Sequence, residues 1–132
     1  MSTPLDDVKA RIDSIEESYE FFLAYAAQGL TTDQGAKSGG QLRDFLGKMQ
    51  GALDGLADQV DAAVLSEGSD PADPWRDMVK VLRADAVAAL AAVSLVASRR
   101  GVSSQLVDNL NANIHLRALL TDLFLVDDLI DG

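Results

Sequence analysis

Apolar residues alternately three and four apart recur through four stretches of similar length, and that spacing is the seam of a helix packed in a bundle. The first stretch carries Leu5, Val8, Ile12, Ile15, Tyr19, Phe22 and Ala26. The second runs through Leu42, Leu46, Met49, Leu53, Leu56, Val60 and Ala63, and the third through Trp75, Val79, Leu82, Ala86, Ala89, Val93 and Val96. No strand-like alternation appears, so the pattern predicts an all-α fold.

Local signals place the ends. Thr3-Pro4 supplies a cap and a first-turn proline, with Asp6 and Asp7 at the positive end of the helix dipole. The first helix is expected to run to about Leu30, where Gly29 and the Gly/Thr/Ser-rich stretch Thr31–Gly40 break the pattern and form the most flexible segment. Ser38 and Gln41 read as a capping box starting a second helix near Gly39 and reaching about Ser66. After a linker, Glu67–Asp73, Asp73-Pro74 repeats the cap-then-proline device for a third helix. That helix ends at Arg99-Arg100, with Gly101 available for a left-handed terminus, and Ser103 or Ser104 caps the fourth. Short connections force successive helices antiparallel, which predicts one domain over residues 1–132 built as an up-down-up-down four-helix bundle. Each helix would have about 26 residues and span about 39 Å.

A chain that is 48% hydrophobic can bury a sizeable core without staples, and the absence of cysteine removes disulfides and thiolate chemistry. The longest apolar run, Ala86–Ala97 with one serine in it, is too short for a bilayer, and no leader pattern opens the chain; a cytoplasmic protein is expected. A net charge of −10 argues against nucleic acid and anionic membranes as partners, because both demand a basic face. The charge is uneven: residues 71–100 carry Arg76, Lys80, Arg83, Arg99 and Arg100 against Asp73, Asp77 and Asp85, making the third helix the electrostatic complement of its neighbours.

Two features exceed what a bundle seam needs. Gly47, Gly51 and Gly55 fall on one stripe of the second helix, opposite its seam, and each costs roughly 0.8–1 kcal/mol against alanine in an exposed helix. A helix-packing surface would explain them; tolerance of the loss is the alternative. The spacing resembles that of membrane helix pairs, but Lys48, Asp54 and Asp58 exclude that setting. The later half of the fourth helix is apolar on more than one side: Leu116, Leu119, Leu120, Leu123, Phe124, Leu125, Val126, Leu129 and Ile130. Val87, Leu90, Ala91 and Leu95 also fall off the third seam. One seam cannot bury them all, which predicts a homodimer with part of the third helix and Leu116, Leu119, Leu123, Val126 and Ile130 of the fourth in its interface.

A polar cluster, Asn109, Asn111, Asn113, His115 and Arg117, interrupts the fourth helix. One possible seam, Leu106, Leu110, Asn113, Arg117, Leu120 and Phe124, would bury Asn113 and Arg117 beside Glu16, Glu17 or Glu20, with Asp85 as another partner; the other, Val107, Leu110, Ile114, Ala118, Thr121 and Leu125, would leave Arg117 at the edge. The cluster then either fixes helix register or, with Tyr19, Glu20, Asn113, His115 and Arg117, forms a small-molecule site between helices.

In topology alone such a bundle resembles the ferritin-like di-iron proteins, which use Glu-x-x-His on two helices and a Glu on each of the others. Ala112, not Glu, stands three residues before His115, and the second helix has no histidine. The resemblance therefore implies at most a relative without a di-iron site. No phosphate loop, nucleophilic triad or metal-ligand spacing is present, so no catalytic residue, metal or cofactor is assigned. The expected function is a non-catalytic accessory or interaction protein that self-associates through helical surfaces, with a further protein as a second candidate partner. The alternative is a degenerate ferritin-like bundle binding a small molecule or cofactor.

Overall fold

The computed structural model describes residues 3–67 and 72–130. Within them the chain is all-helical: α1 Pro4–Ala26, α2 Gly39–Leu53, α3 Leu56–Glu67, α4 Ala72–Ala97, α5 Ser104–Ala112 and α6 Ile114–Ile130. The expected second and fourth helices each arrive as two, so six helices replace four.

Both breaks have local causes. Asp54 is extended (φ −69°, ψ 116°) and Gly55 is left-handed (φ +80°), a conformation in which a side chain would be strained. Asp-Gly is a turn dipeptide, and the unbroken apolar spacing across it concealed the signal. Asn113 is likewise extended (φ −61°, ψ 127°), and its Oδ1 accepts from the N–H groups of His115 at 3.0 Å and Leu116 at 3.2 Å. It is the cap that starts α6.

Thr3 closes a capping box with Asp6 at the start of α1, and Ser103 Oγ accepts from the Leu106 N–H at the start of α5, as the sequence predicts. Other ends differ. Helix α1 stops at Ala26 rather than near Leu30. Ser38 makes no capping bond with its side chain, donating instead to Gln28 Oε1 at 2.7 Å. Helix α4 begins at Ala72, which places Asp73 inside its first turn, with Pro74, rather than at the cap. Gly101 is not left-handed; a Cβ there would stand 2.9 Å from Thr32 Oγ1, so the Thr32 side chain would have to shift to admit one. Most of the expected linker Glu67–Asp73 lies outside the described residues.

Contacts along the helices pair opposite ends. Glu17 of α1 meets Lys48 of α2 at 2.7 Å, while Arg11, a turn and a half earlier, reaches the last carbonyls of α2. Gln50 of α2 bonds Ser94 of α4, and Arg43 bonds Ala97. Arg83 of α4 pairs with Asp58 of α3 at 2.7 Å, and Lys9 of α1 with Asp127 of α6 at 3.1 Å. One contiguous core runs through all six helices, from Val8, Ile12, Ile15, Phe22 and Tyr25 of α1 to Leu116, Leu119, Leu123, Val126 and Ile130 of α6. Burying an aliphatic or aromatic side chain of this kind contributes about 1.5–3 kcal/mol. Among the described residues no helix is long and apolar enough to cross a membrane.

Candidate functional site

Arginines capping helix C-termini organise both ends of the molecule. Arg11 pairs with Asp7 at 2.6 Å and donates to the carbonyls of Gly51, Ala52 and Asp54, placing its charge on the negative end of the α2 dipole. Arg43 does the same for α4, donating to Ala97 at 2.9 Å, Arg99 at 2.8 Å and Arg100 at 3.1 Å. Its Nε also donates to Asp33, which is buried and accepts the Val102 N–H at 2.7 Å. Burial alone would raise the Asp33 pKa, but these hydrogen bonds and the guanidinium charge outweigh it and hold the carboxyl below its usual range. Tyr25 donates to Val102 O at 2.7 Å, and burial followed by the Asp33 charge pushes its hydroxyl pKa up. Ser104 Oγ donates to Tyr25 O and accepts the Leu30 N–H, at 2.7 and 2.9 Å. The segment expected to be the most flexible is thus stitched to the loop after α4. Every polar group named in this clasp is used internally, so it reads as architecture.

The polar cluster is dispersed. Asn109 and His115 are exposed, Asn113 is consumed as the α6 cap, and Asn111 is buried with neither side-chain atom meeting a hydrogen-bond partner. Arg117 is exposed rather than inside the bundle. Neither seam considered for the fourth helix persists, because the break at Asn113 resets the phase: α5 buries Val107 and Leu110, while α6 buries Leu116, Leu119, Leu120 and Leu123. Of the candidate ligand residues, Tyr19, Glu20 and Arg117 do converge. With Glu16, Leu120, Thr121 and Phe124 they line an open groove of about 360 Å³ between α1 and α6. Burial, then repulsion from Asp127, Asp13 and Glu20, raises the Glu16 pKa.

The candidate interface residues also move. Leu116, Leu119, Leu123, Val126 and Ile130 are buried in the chain's own core and are unavailable to a partner. Gly47 and Gly51 face open space, where a Cβ would meet nothing within 4 Å, and Gly55 serves the turn. The glycine that does admit a neighbouring backbone is Gly39, whose Cβ would lie 2.0 Å from the Asp33 carbonyl oxygen.

What remains exposed includes part of the surplus apolar surface named above. Val81, Val87 and Leu95 on α4 are 49%, 65% and 69% exposed, and Ile114, Leu125 and Leu129 on α6 are 73%, 52% and 55% exposed. Residues three and four apart share a helix stripe, so Val81, Asp85, Ala88 and Ala92 line one edge of α4, and Ala118, Asp122, Leu125 and Leu129 line one edge of α6. Helices α4 and α6 pack against each other, and the Asp85 carboxyl bears on Asp122. Asp122 Oδ2 is enclosed and has no hydrogen-bond donor. Burial, then the neighbouring Asp85 carboxyl with its charge, push the Asp122 pKa up to about 7. Asp122 therefore keeps its proton up to near neutrality. Sequence reasoning missed this pair because each aspartate, taken alone, is an ordinary helix-surface charge; an acid centred in an apolar stripe on both helices was the available signal.

Among the described residues, no group of three or more His, Cys, Asp or Glu side chains is placed to hold a metal ion. Comparison with protein-family models, with curated proteins and with solved structures finds no match to this chain.

Proposed function

We propose that the protein is a non-catalytic accessory or interaction module that self-associates as a homodimer through the exposed face of α4 and α6. In this reading α2 with α3, and α5 with α6, are the broken second and fourth rods of an antiparallel up-down-up-down bundle, working in the cytoplasm. The observation that carries the proposal is the apolar face itself. Val81, Leu95, Ile114, Leu125 and Leu129, each about half exposed or more, lie on the outer sides of the packed helices α4 and α6, with Ala88 beside Val81. Single exposed apolar residues are normal, but several large ones on two helices that pack together favour an association site. The small Ala88 side chain allows close helix approach. Sedimentation equilibrium on the purified chain tests the reading: a dimer is expected, and Val81→Glu with Leu125→Glu should return it to monomer. A wild-type chain that stays monomeric at high concentration overturns it.

A second reading rests on the α1–α6 groove. Its apolar floor of Tyr19, Leu120 and Phe124, with Arg117 at hand for an anion and Glu16 and Glu20 for a cation, suits a small amphoteric molecule. Asn113 and His115, first grouped with these residues, have no part in it. Isothermal titration with amino acids and small peptides tests this, with binding expected to fall when Arg117 becomes Ala.

A further inference from the structure

The groove between α1 and α6 has a charge balance and a hydrogen-bonding character that narrow what it can hold. Helix α1 runs opposite to α6: Lys9, early in α1, pairs at 3.1 Å with Asp127, late in α6, while Tyr19 and Glu20, late in α1, share the groove with Arg117, early in α6. Asp13, Glu16 and Glu20 are three and four apart and form one stripe of α1, and Arg117, Thr121 and Phe124 form one stripe of α6. Arg117 therefore lies at the Glu20 end of the groove. Phe124, about two turns further along α6, lies at the Glu16 end.

The lining carries two carboxylates, Glu16 and Glu20, against one cation, Arg117, which leaves the groove one unit short of positive charge. Among the described residues none of the three side chains enters an ion pair, so none of this charge is spent inside the chain. The surroundings deepen the deficit at the Glu16 end. Burial, then Asp127, Asp13 and Glu20, act on Glu16, and every charge in that set is negative, although Asp127 is itself held by Lys9. The neutral groups point the same way. Thr121 Oγ1 donates its proton to Ala118 O at 2.9 Å, so it offers a ligand lone pairs rather than a donor. The Phe124 ring is 62% exposed, and an exposed aromatic face attracts a cation. Leu120 and Tyr19 supply apolar floor beside these groups.

Acceptors, negative charge and an aromatic face next to apolar floor complement an ammonium group on an aliphatic body. An anion would meet only Arg117, with Glu20 beside it, and a zwitterion would leave the charge deficit as it is. We infer that the α1–α6 groove binds an organic monocation, a primary alkylammonium compound whose head lies between Glu16 and Phe124 and whose aliphatic body lies on Tyr19 and Leu120. The inference rests on the ligand-site reading of the groove and fixes the net charge of what that site takes.

Hexylamine, norleucine and hexanoate share a six-carbon skeleton and are cationic, zwitterionic and anionic at neutral pH, so titrating each while following backbone amide shifts by NMR isolates the effect of charge. Hexylamine is expected to shift amides around Glu16 and Tyr19 of α1 and around Leu120 and Phe124 of α6, with norleucine at least about tenfold weaker and hexanoate weaker still. Glu16, Arg117 and Phe124 are exposed, so substitutions there keep the fold. Glu16→Gln should weaken hexylamine about tenfold and Phe124→Ala severalfold, while Arg117→Gln should leave its affinity unchanged or raise it. Norleucine bound in the groove as tightly as hexylamine overturns the monocation inference and leaves the groove standing as a site for amphoteric molecules. Hexylamine affinity unchanged in Glu16→Gln, or hexylamine shifts confined to the α4–α6 face, overturns it as well. If none of the three compounds moves the groove amides, the ligand-site reading itself falls.

Discussion

Asp33 and Asp122 are the same residue type in opposite circumstances. Asp33 sits among donors: Arg43 and the Val102 N–H stabilise its charge, and its pKa falls despite burial. Asp122 sits among aliphatic neighbours with another acid opposite, and its pKa rises to about 7. The donors around a carboxylate, rather than depth, decide whether it ties a structure together or waits for a proton. At the first, two loops and a helix C-terminus are locked by groups that all find partners. At the second, an acid pair is left unsatisfied beneath an exposed apolar face. Natural structures leave few buried polar atoms unpaired, which makes the second region the place to look for function.

The comparison breaks most forcefully at the clasp. Asp33→Ala leaves the Arg43 guanidinium and the buried Val102 N–H without their acceptor, and chemical denaturation should show a loss of about 3 kcal/mol. Gly39→Ala tests the same region by crowding, since the new methyl overlaps the Asp33 carbonyl; a loss of about 1–3 kcal/mol is expected from the same measurement.

The two aspartates also predict opposite pH slopes. Stability contributed through Asp33 is present above its unfolded pKa and lost as pH falls through its lower folded value. The cost at Asp122 grows as pH rises from the ordinary carboxylate range to about 7 and is constant above. Thermal melts at low protein concentration should therefore show stability declining between about pH 4 and pH 7, and Asp122→Asn should flatten that decline and melt a few degrees higher at pH 8. The smallest effect lies away from both regions: Gly51→Ala, in open space on α2, should gain about 0.5–1 kcal/mol from helix propensity alone, and a loss would mean that a second chain packs there.

Much of the fold was legible. Apolar spacing located every helical stretch and most of the core, because a buried helix face has to repeat near 3.6 residues whatever covers it. Thr3 and Ser103 were readable as caps because capping is satisfied within one turn. The candidate site was less legible. Tyr19, Glu20 and Arg117 were found by placing helix centres level, whereas Asn113 and His115 were misassigned because a cap and a helix interior residue look alike in composition. Leu116 and Leu119 were assigned to an interface on the assumption of one seam per helix; the phase reset at Asn113 gives α6 its own buried face and turns Ile114, Leu125 and Leu129 outward.

The residue order by itself determined that this chain is helical, where most helices begin, and that it carries more apolar surface than one seam can hide, since these depend on neighbours within a turn or two. Only the tertiary structure decided that Gly39 is required by a neighbouring loop, that Arg11 and Arg43 cap helices remote in sequence, and that the Asp85 carboxyl bears on Asp122. Each of these is a meeting between segments many residues apart, and electrostatic and steric energies depend on distance through space, which periodicity along the chain does not encode.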